Sequence, residues 1–302
     1  MSPPRSRPTR PVVLTIAGFD PSSGAGATAD LKTIAAHGCY GVSCLTALTV
    51  QSTAGVSRVE PISAEVVSET LWELAYDFNF EAAKIGMLAT RPVVDAVARF
   101  LGRVKPPWVV LDPVLESSSG AALLDAEGRV RLSKRLLRMA TVITPNLAEA
   151  AALTGLRVES VAEMKSAASR LHRMGARNVV ITGGHGKRPV DVLSMVRTSG
   201  IEQVEFAGDR VLSTSTHGTG CAFSSAVACN LALGRSLREA VGLAKEYVTE
   251  AIRNAYPVGQ GVGPVNHFYD RDEHPPKRRT ASHPQGRRVA ARGVLESAAR
   301  RK

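Results

Sequence analysis

The sequence has no apolar run long enough to cross a bilayer. Its most apolar stretches, such as Trp108-Val109-Val110-Leu111, have the length of buried strands. No apolar run of signal-peptide length follows Arg5, Arg7 and Arg10, so the chain is expected to be cytoplasmic with no membrane partner. Cysteine is scarce. The four are Cys39, Cys44, Cys221 and Cys229, with no CxxC pair, and a reducing compartment disfavours disulfides. Cys39, Cys44 and Cys229 lie in apolar surroundings and read as small core residues. No internal repeat is evident. The centre of the chain also lacks net charge. Residues 271–302 hold ten Lys/Arg against three acids, and residues 1–10 hold three Arg and no acid, leaving +1 of the total +11 for residues 11–270. The basic ends are rich in Pro, Gly and Ser and read as disordered tails, 1–10 and 271–302. A solvated extension is the preferred reading of the longer tail; nucleic-acid contact through phosphate charge is the alternative.

What remains is a segment with enough apolar content, 44% over the whole chain, to bury a full core. No Pro/Ser-rich linker interrupts residues 11–270, which predicts one domain. Short β-branched runs alternate with longer helical patterns. Strands are expected at 12–17, 42–50, 82–85, 109–111, 142–144, 179–182, 190–196 and 203–207. Helices are expected at 27–37, 64–78, 92–104, 127–138, 147–154, 160–174, 220–233 and 237–255. Ser63 is a candidate cap, Pro92 suits a first helical turn, and Gly175 and Gly234 sit where helices would close. The pattern predicts an α/β fold whose mostly parallel central sheet is covered by helices. Five polar or glycine-rich segments fall where ligands gather in such sheets: 18–26, 112–114, 144–146, 182–185 and 218–221. Five in corresponding places imply a shared site.

Thr216-His217-Gly218-Thr219-Gly220-Cys221 is a glycine turn feeding an apolar helix. Converging N–H groups and the helix dipole would make an anion hole there, as phosphoryl transfer requires. Cys221 would sit in the first helical turn, where a thiol pKa tends to fall, and would serve as a base or simply pack. Gly-x-Gly also opens many ordinary helices. Gly24 and Gly26 form a second flexible turn, with Asp30 read as a first-turn residue of the helix that follows. No Gly-Lys-Ser/Thr follows, so this is not a nucleotide P-loop, and the dinucleotide spacing is absent too. Asp30 would otherwise only complement the helix dipole. Asp112 and Glu149 are acids at strand ends, with Asn146 three residues before Glu149. Magnesium near phosphates needs one or two such carboxylates. The plainer reading makes Asn146 a helix cap and Glu149 a solvated first-turn acid. The Gly86-Met87 step could wall a flat ring, and Gln51 could read the edge of a heterocycle; each is elsewhere often an ordinary residue.

Together the blocks Thr15–Gly26, Ala29–Thr33, Lys84–Leu88, Leu111–Val114, Ile143–Ala150, Gly183–His185, Thr216–Cys221 and Gly261–Val265 resemble the ribokinase-like superfamily. Within it they are most similar to the hydroxymethylpyrimidine/phosphomethylpyrimidine kinases, over roughly residues 12–269. The resemblance implies a three-layer αβα sandwich of about eight to ten strands, a homodimer, and use of ATP with Mg²⁺. It implies phosphorylation of 4-amino-5-hydroxymethyl-2-methylpyrimidine and then of its monophosphate, giving the diphosphate used in thiamine assembly. It assigns the pyrimidine to Gln51, Gly18, Asp30, Met87 and Val114, the reaction centre to Cys221 with Gly218 and Gly220, the nucleotide to Asn146, Thr182 and Thr219, and the metal to Asp112 and Glu149. Two family lysines are replaced, by Thr182 and Gln260, and Lys187 stands near enough in sequence to compensate for one. The competing readings are a pyridoxal kinase of the same superfamily and a non-catalytic ligand- or nucleic-acid-binding protein on this fold.

Overall fold

Alternation of period two along the short strands gives the sheet two apolar faces. The computed structural model describes residues 10–117, 120–184 and 189–271. The elements run β1 (Val12–Phe19), α1 (Gly26–Ala36), β2 (Tyr40–Ser52), β3 (Gly55–Pro61), α2 (Ala64–Asp77), β4 (Ala82–Ile85), α3 (Arg91–Val104), β5 (Trp108–Leu111) and α4 (Ala126–Lys134). They continue with α5 (Leu136–Met139), β6 (Val142–Ile143), α6 (Leu147–Thr154), α7 (Val161–Met174), β7 (Asn178–Ile181), β8 (Val190–Arg197), β9 (Gly200–Ala207), α8 (Thr219–Ala232) and α9 (Leu237–Arg253). Residues up to Tyr269 belong to one unit. A second begins at Asp270, and only Asp270 and Arg271 of it are described. The tails 1–9 and 272–302, His185 and Lys187 lie outside the described residues.

The described strands form one sheet in the order β3-β2-β1-β4-β5-β6-β7-β8-β9. The six from β2 to β7 pair in parallel. β3, β8 and β9 are antiparallel additions at the two edges. Leu14, Ala83, Val109, Leu111, Val179 and Ile181 face one core, built with α2 to α7. Val13, Ala82, Val110, Val142 and Val180 face the other, built with α1, α8 and α9. Helices on both faces of a mostly parallel sheet make the expected αβα sandwich. Ser63 caps α2 by accepting from Val66 N–H, and Gly175 closes α7 in the left-handed region at φ 112°.

Two expectations change. The span 127–138 is two helices, broken at Arg135. β3 was not expected: mostly exposed and paired only with β2, it lacks the apolar face that marks a core strand. Among the described residues no helix is long and apolar enough to cross a membrane.

Candidate active site

Parallel pairing brings the ends of β1, β4, β5, β6 and β7 to one edge. The start of α8 reaches the same edge. Gly218 has φ 79°, and a Cβ on it would run into the carbonyl oxygen of Gly24. Only glycine allows that approach, which ties α8 to the loop before α1. Gly220 differs: a Cβ there would meet nothing within 4 Å. α8 has no side-chain cap, and its first internal contact is Ala222 N–H to Gly218 O at 2.9 Å. The N–H groups of Gly220 and Cys221 therefore have no partner among the described residues and face the positive end of the dipole.

The same alternation turns Thr15, Lys84 and Asp112 toward α1 and α8. Lys84 is fully buried. Its Nζ lies 2.9 Å from both oxygens of Asp30 and 3.9 Å from Asp112 Oδ2. Asp30 also accepts from Thr15 Oγ1 at 2.5 Å and Ser225 Oγ at 2.8 Å. Burial opposes the Lys84 charge, but Asp30 and then Asp112 outweigh it and keep the ammonium protonated, its pKa above the ordinary lysine value. Asp112 accepts from Ser224 Oγ at 3.0 Å. Burial raises the Asp112 carboxyl, and Lys84 and Ser224 pull it only part of the way back. Glu149 and Asn146 form a capping box, each backbone N–H donating to the other's side chain at 2.9 Å. Burial, then neighbouring Asp112, push Glu149 up to about 8, against hydrogen bonds from the backbones of Asn146 and Leu115. Two carboxylates raised by burial and proximity suit a divalent cation, which would relieve both costs. Among the described residues no group of three or more metal-ligating side chains occurs.

The other half of the site is less charged. Met87 lies under Gly18, where a Cβ would come 2.6 Å from its sulfur. Met87 shares a small apolar cluster with Ala47, Ala89 and Leu123, flanked by Val59 and Val114. Gln51 is the last residue but one of β2, with its Oε1 3.1 Å from Thr49 Oγ1 and its Nε2 3.2 Å from His217 Nε2. His217 Nε2 also lies 2.8 Å from Asp20 Oδ2. Burial raises the Asp20 carboxyl, but hydrogen bonds from His217, Ser22 and Ala25 outweigh it and hold the pKa below the usual range. Gly263 O accepts from His217 N–H at 2.9 Å, so the Gly261–Val265 segment buttresses this turn.

Most of the expected residues thus meet at one edge, with three corrections. Asp30 does not lie in the first turn of α1 and offers nothing to a ligand: it is completely buried and both oxygens are saturated. Glu149 is buried rather than solvated. The Cys221 thiol is not lowered by its helix. Some of the residue's surface is accessible, yet burial pushes the thiol up to about 12, with Lys84 pulling the other way. Cys39, Cys44 and Cys229 are buried, as core residues should be. Asn146 and Thr182 lie side by side in an isolated bridge, and Thr219 turns its hydroxyl back onto Thr216 O at 2.6 Å. Lys84, Asp20, His217, Ser224 and Ser225 carry the site's internal bonding, and the sequence alone assigns none of them a role. The available signal was a lysine inside a short strand that is otherwise apolar.

A doubly covered parallel sheet with an anion-ready helix start beside two acids defines a ribokinase-like phosphotransferase. The phosphomethylpyrimidine kinase family matches residues 20–266, and the chain belongs to that family. It is 45% identical over 258 residues to the thiamine biosynthesis bifunctional protein ThiED of Geobacter sulfurreducens, covering 85% of this chain and 52% of that protein. The chain thus spans about half the length of that relative. It is 43% identical over 268 residues to the hydroxymethylpyrimidine/phosphomethylpyrimidine kinase of Streptomyces coelicolor, covering 88% of this chain and 98% of that one. The pyridoxal kinase of Staphylococcus aureus, solved with AMP-PCP and pyridoxal, superposes with a TM-score of 0.79 at 35% identity, over 88% of this chain and 97% of that one.

Proposed function

We propose that the protein transfers the γ-phosphoryl group of ATP to the hydroxymethyl oxygen of 4-amino-5-hydroxymethyl-2-methylpyrimidine, and then a second group to the monophosphate. Residues 11–270 act as the kinase domain of a homodimer in this reading. The observation that carries it is the start of α8: unpaired N–H groups of Gly220 and Cys221 with open space before Gly220, next to Asp112. The transferred group spreads negative charge over three oxygens, and fixed donors in a water-poor site stabilise it as it forms.

Asp112 and Glu149 would hold Mg²⁺. When bound, the ion would neutralise phosphate charge as it develops. Asn146, Thr182 and Thr219 serve the nucleotide side, while Gln51, Gly18, Met87 and Val114 serve the ring; Asp30 acts from beneath them. The new bond joins the hydroxymethyl oxygen to the γ-phosphorus as the bond to ADP breaks. A loose transition state leaves the hydroxyl proton in place until late, so it asks little of a base, and the proton then passes to an oxygen of the transferred phosphoryl group. Cys221 fits that demand: a thiol pushed up to about 12 stays protonated and orients the hydroxyl rather than abstracting its proton early. With Thr182 and Gln260 in place of lysines, the phosphates depend on Mg²⁺ and backbone donors.

The pyridoxal reading is favoured by one observation, the likeness to the Staphylococcus aureus enzyme solved with that ring. Product masses separate the two. The protein with Mg-ATP and the pyrimidine should yield the monophosphate and then the diphosphate. Turnover of pyridoxal alone would refute the proposal.

A further inference from the structure

The hydrogen-bond partners around His217 determine how the ring pocket is polarised. Asp20 is buried. Its Oδ1 accepts from Ser22 N–H at 2.8 Å and Ser22 Oγ–H at 2.7 Å, and its Oδ2 accepts from Ala25 N–H at 2.8 Å. Backbone N–H groups only donate, so both carboxylate oxygens are acceptors. The His217 nitrogen 2.8 Å from Oδ2 must therefore carry the hydrogen. In the structure the Gln51 Nε2 stands 3.2 Å from this Nε2, and the Gln51 Oε1 lies 3.1 Å from Thr49 Oγ1. An NH₂ there would set donor against donor, so the amide oxygen belongs on the His217 side. Shape alone does not distinguish the two ends of an amide; the partners do.

The opposite end agrees. Thr49 Oγ1 lies 2.9 Å from Phe19 O and 3.1 Å from the Gln51 amide. Its single hydrogen goes to the carbonyl, leaving it to accept from the Gln51 NH₂. One chain of donors, from Gln51 through Thr49 to Phe19 and from His217 to Asp20, is then consistent throughout. The imidazole also lies against Gly24, where a Cβ would run into it.

We propose that His217 is the specificity-determining residue of the ring pocket: its Nε2–H, anchored on Asp20, fixes which way the Gln51 amide faces. This rests on the substrate reading above. The amide keeps one oxygen lone pair and one N–H for a ligand, in a set order. A 4-aminopyrimidine offers the complement along one edge, an amino N–H beside a ring nitrogen that accepts. A hydroxypyridine whose oxygen is ionised offers an acceptor where the amide oxygen needs a donor. His217 is a positioning residue, acting through Gln51.

Steady-state rates for the full chain with the aminopyrimidine, with pyridoxal and with ATP test this in His217→Phe and Thr49→Val. His217→Phe should raise KM for the aminopyrimidine by roughly ten-fold, the worth of one hydrogen bond, with KM for ATP held within about two-fold. The aminopyrimidine-to-pyridoxal ratio of kcat/KM should fall by about the same factor. Thr49→Val should move the ratio the same way by less, and it decides the matter if the first variant does not fold. An unchanged ratio, or ring and ATP KM values rising together as for a loosened loop, overturns the proposal while the kinase reading stands. Wild-type turnover of pyridoxal alone overturns both.

Discussion

Two helices begin at the same edge of the sheet, and they begin in opposite ways. α6 closes itself: Asn146 and Glu149 exchange hydrogen bonds at 2.9 Å and satisfy the first donors. α8 starts on Gly218 with no side-chain cap, and the donors at Gly220 and Cys221 stay open. Helices α2, α4, α7 and α9 are capped by Ser63, Asp125, Ser160 and Ser236. α1, which also borders the site, begins without a side-chain cap after Gly24-Ala25, as do α3 after Thr90 and the short α5 after Arg135. A cap at α8 would be worth about 1 kcal/mol to the fold. Its absence, where phosphate is expected, marks where stability yields to binding. The closed start contributes differently, by delivering a pre-bonded Glu149 to Asp112.

The largest way to break this contrast is to remove what stands beneath the open starts. Lys84→Met leaves Asp30 buried without its cation. It should cost about 3–5 kcal/mol in urea unfolding, with much of the loss recovered in the Lys84→Met/Asp30→Asn pair. Full stability in the single variant would show that the buried ion pair does not brace α1 and α8.

A smaller effect lies at the back of α1. His267 Nδ1 lies 3.1 Å from Thr33 Oγ1, and Nε2 is buried without a partner. Burial, aided by Lys32, lowers its pKa from 6.5 to about 4. A depressed histidine favours folding as the neutral ring. Its contribution is whole above pH 6.5 and is lost progressively as pH falls from there through about 4, amounting to about 3 kcal/mol. Unfolding midpoints followed from pH 7 downward should decline in this window, and His267→Phe should flatten that part of the decline. Equal slopes would place the acid sensitivity elsewhere.

The smallest change sharpens the comparison. Asn146→Ala removes a working cap and should cost about 1 kcal/mol of stability. A fall in activity far exceeding that would make Asn146 part of nucleotide handling as well.

Much of this could be read before the fold was known. The helix start at 216–221, the acids Asp112 and Glu149, and the cap spacing from Asn146 to Glu149 are local signals, and the parallel sheet follows from strand–helix alternation. What stayed hidden depends on distant partners. Lys84 meets Asp30 from 54 residues away, and His217 meets Asp20 from 197 away. The sign of the Cys221 shift depended on burial, which no first-turn rule contains. β3 escaped because an edge arm with Ser57, Arg58 and Glu60 mostly exposed lacks an apolar face.

The open start itself is tested most directly by Gly220→Ala. Beyond its own helical turn the new Cβ would meet nothing within 4 Å, so the protein has room for it and any loss would fall on what binds there. The unfolding midpoint should stay near that of the wild type, while kcat with Mg-ATP and the hydroxymethylpyrimidine falls by roughly 100-fold, the scale of losing one preorganised donor. A stable Gly220→Ala protein with undiminished kcat would contradict the assignment of phosphoryl transfer to the start of α8.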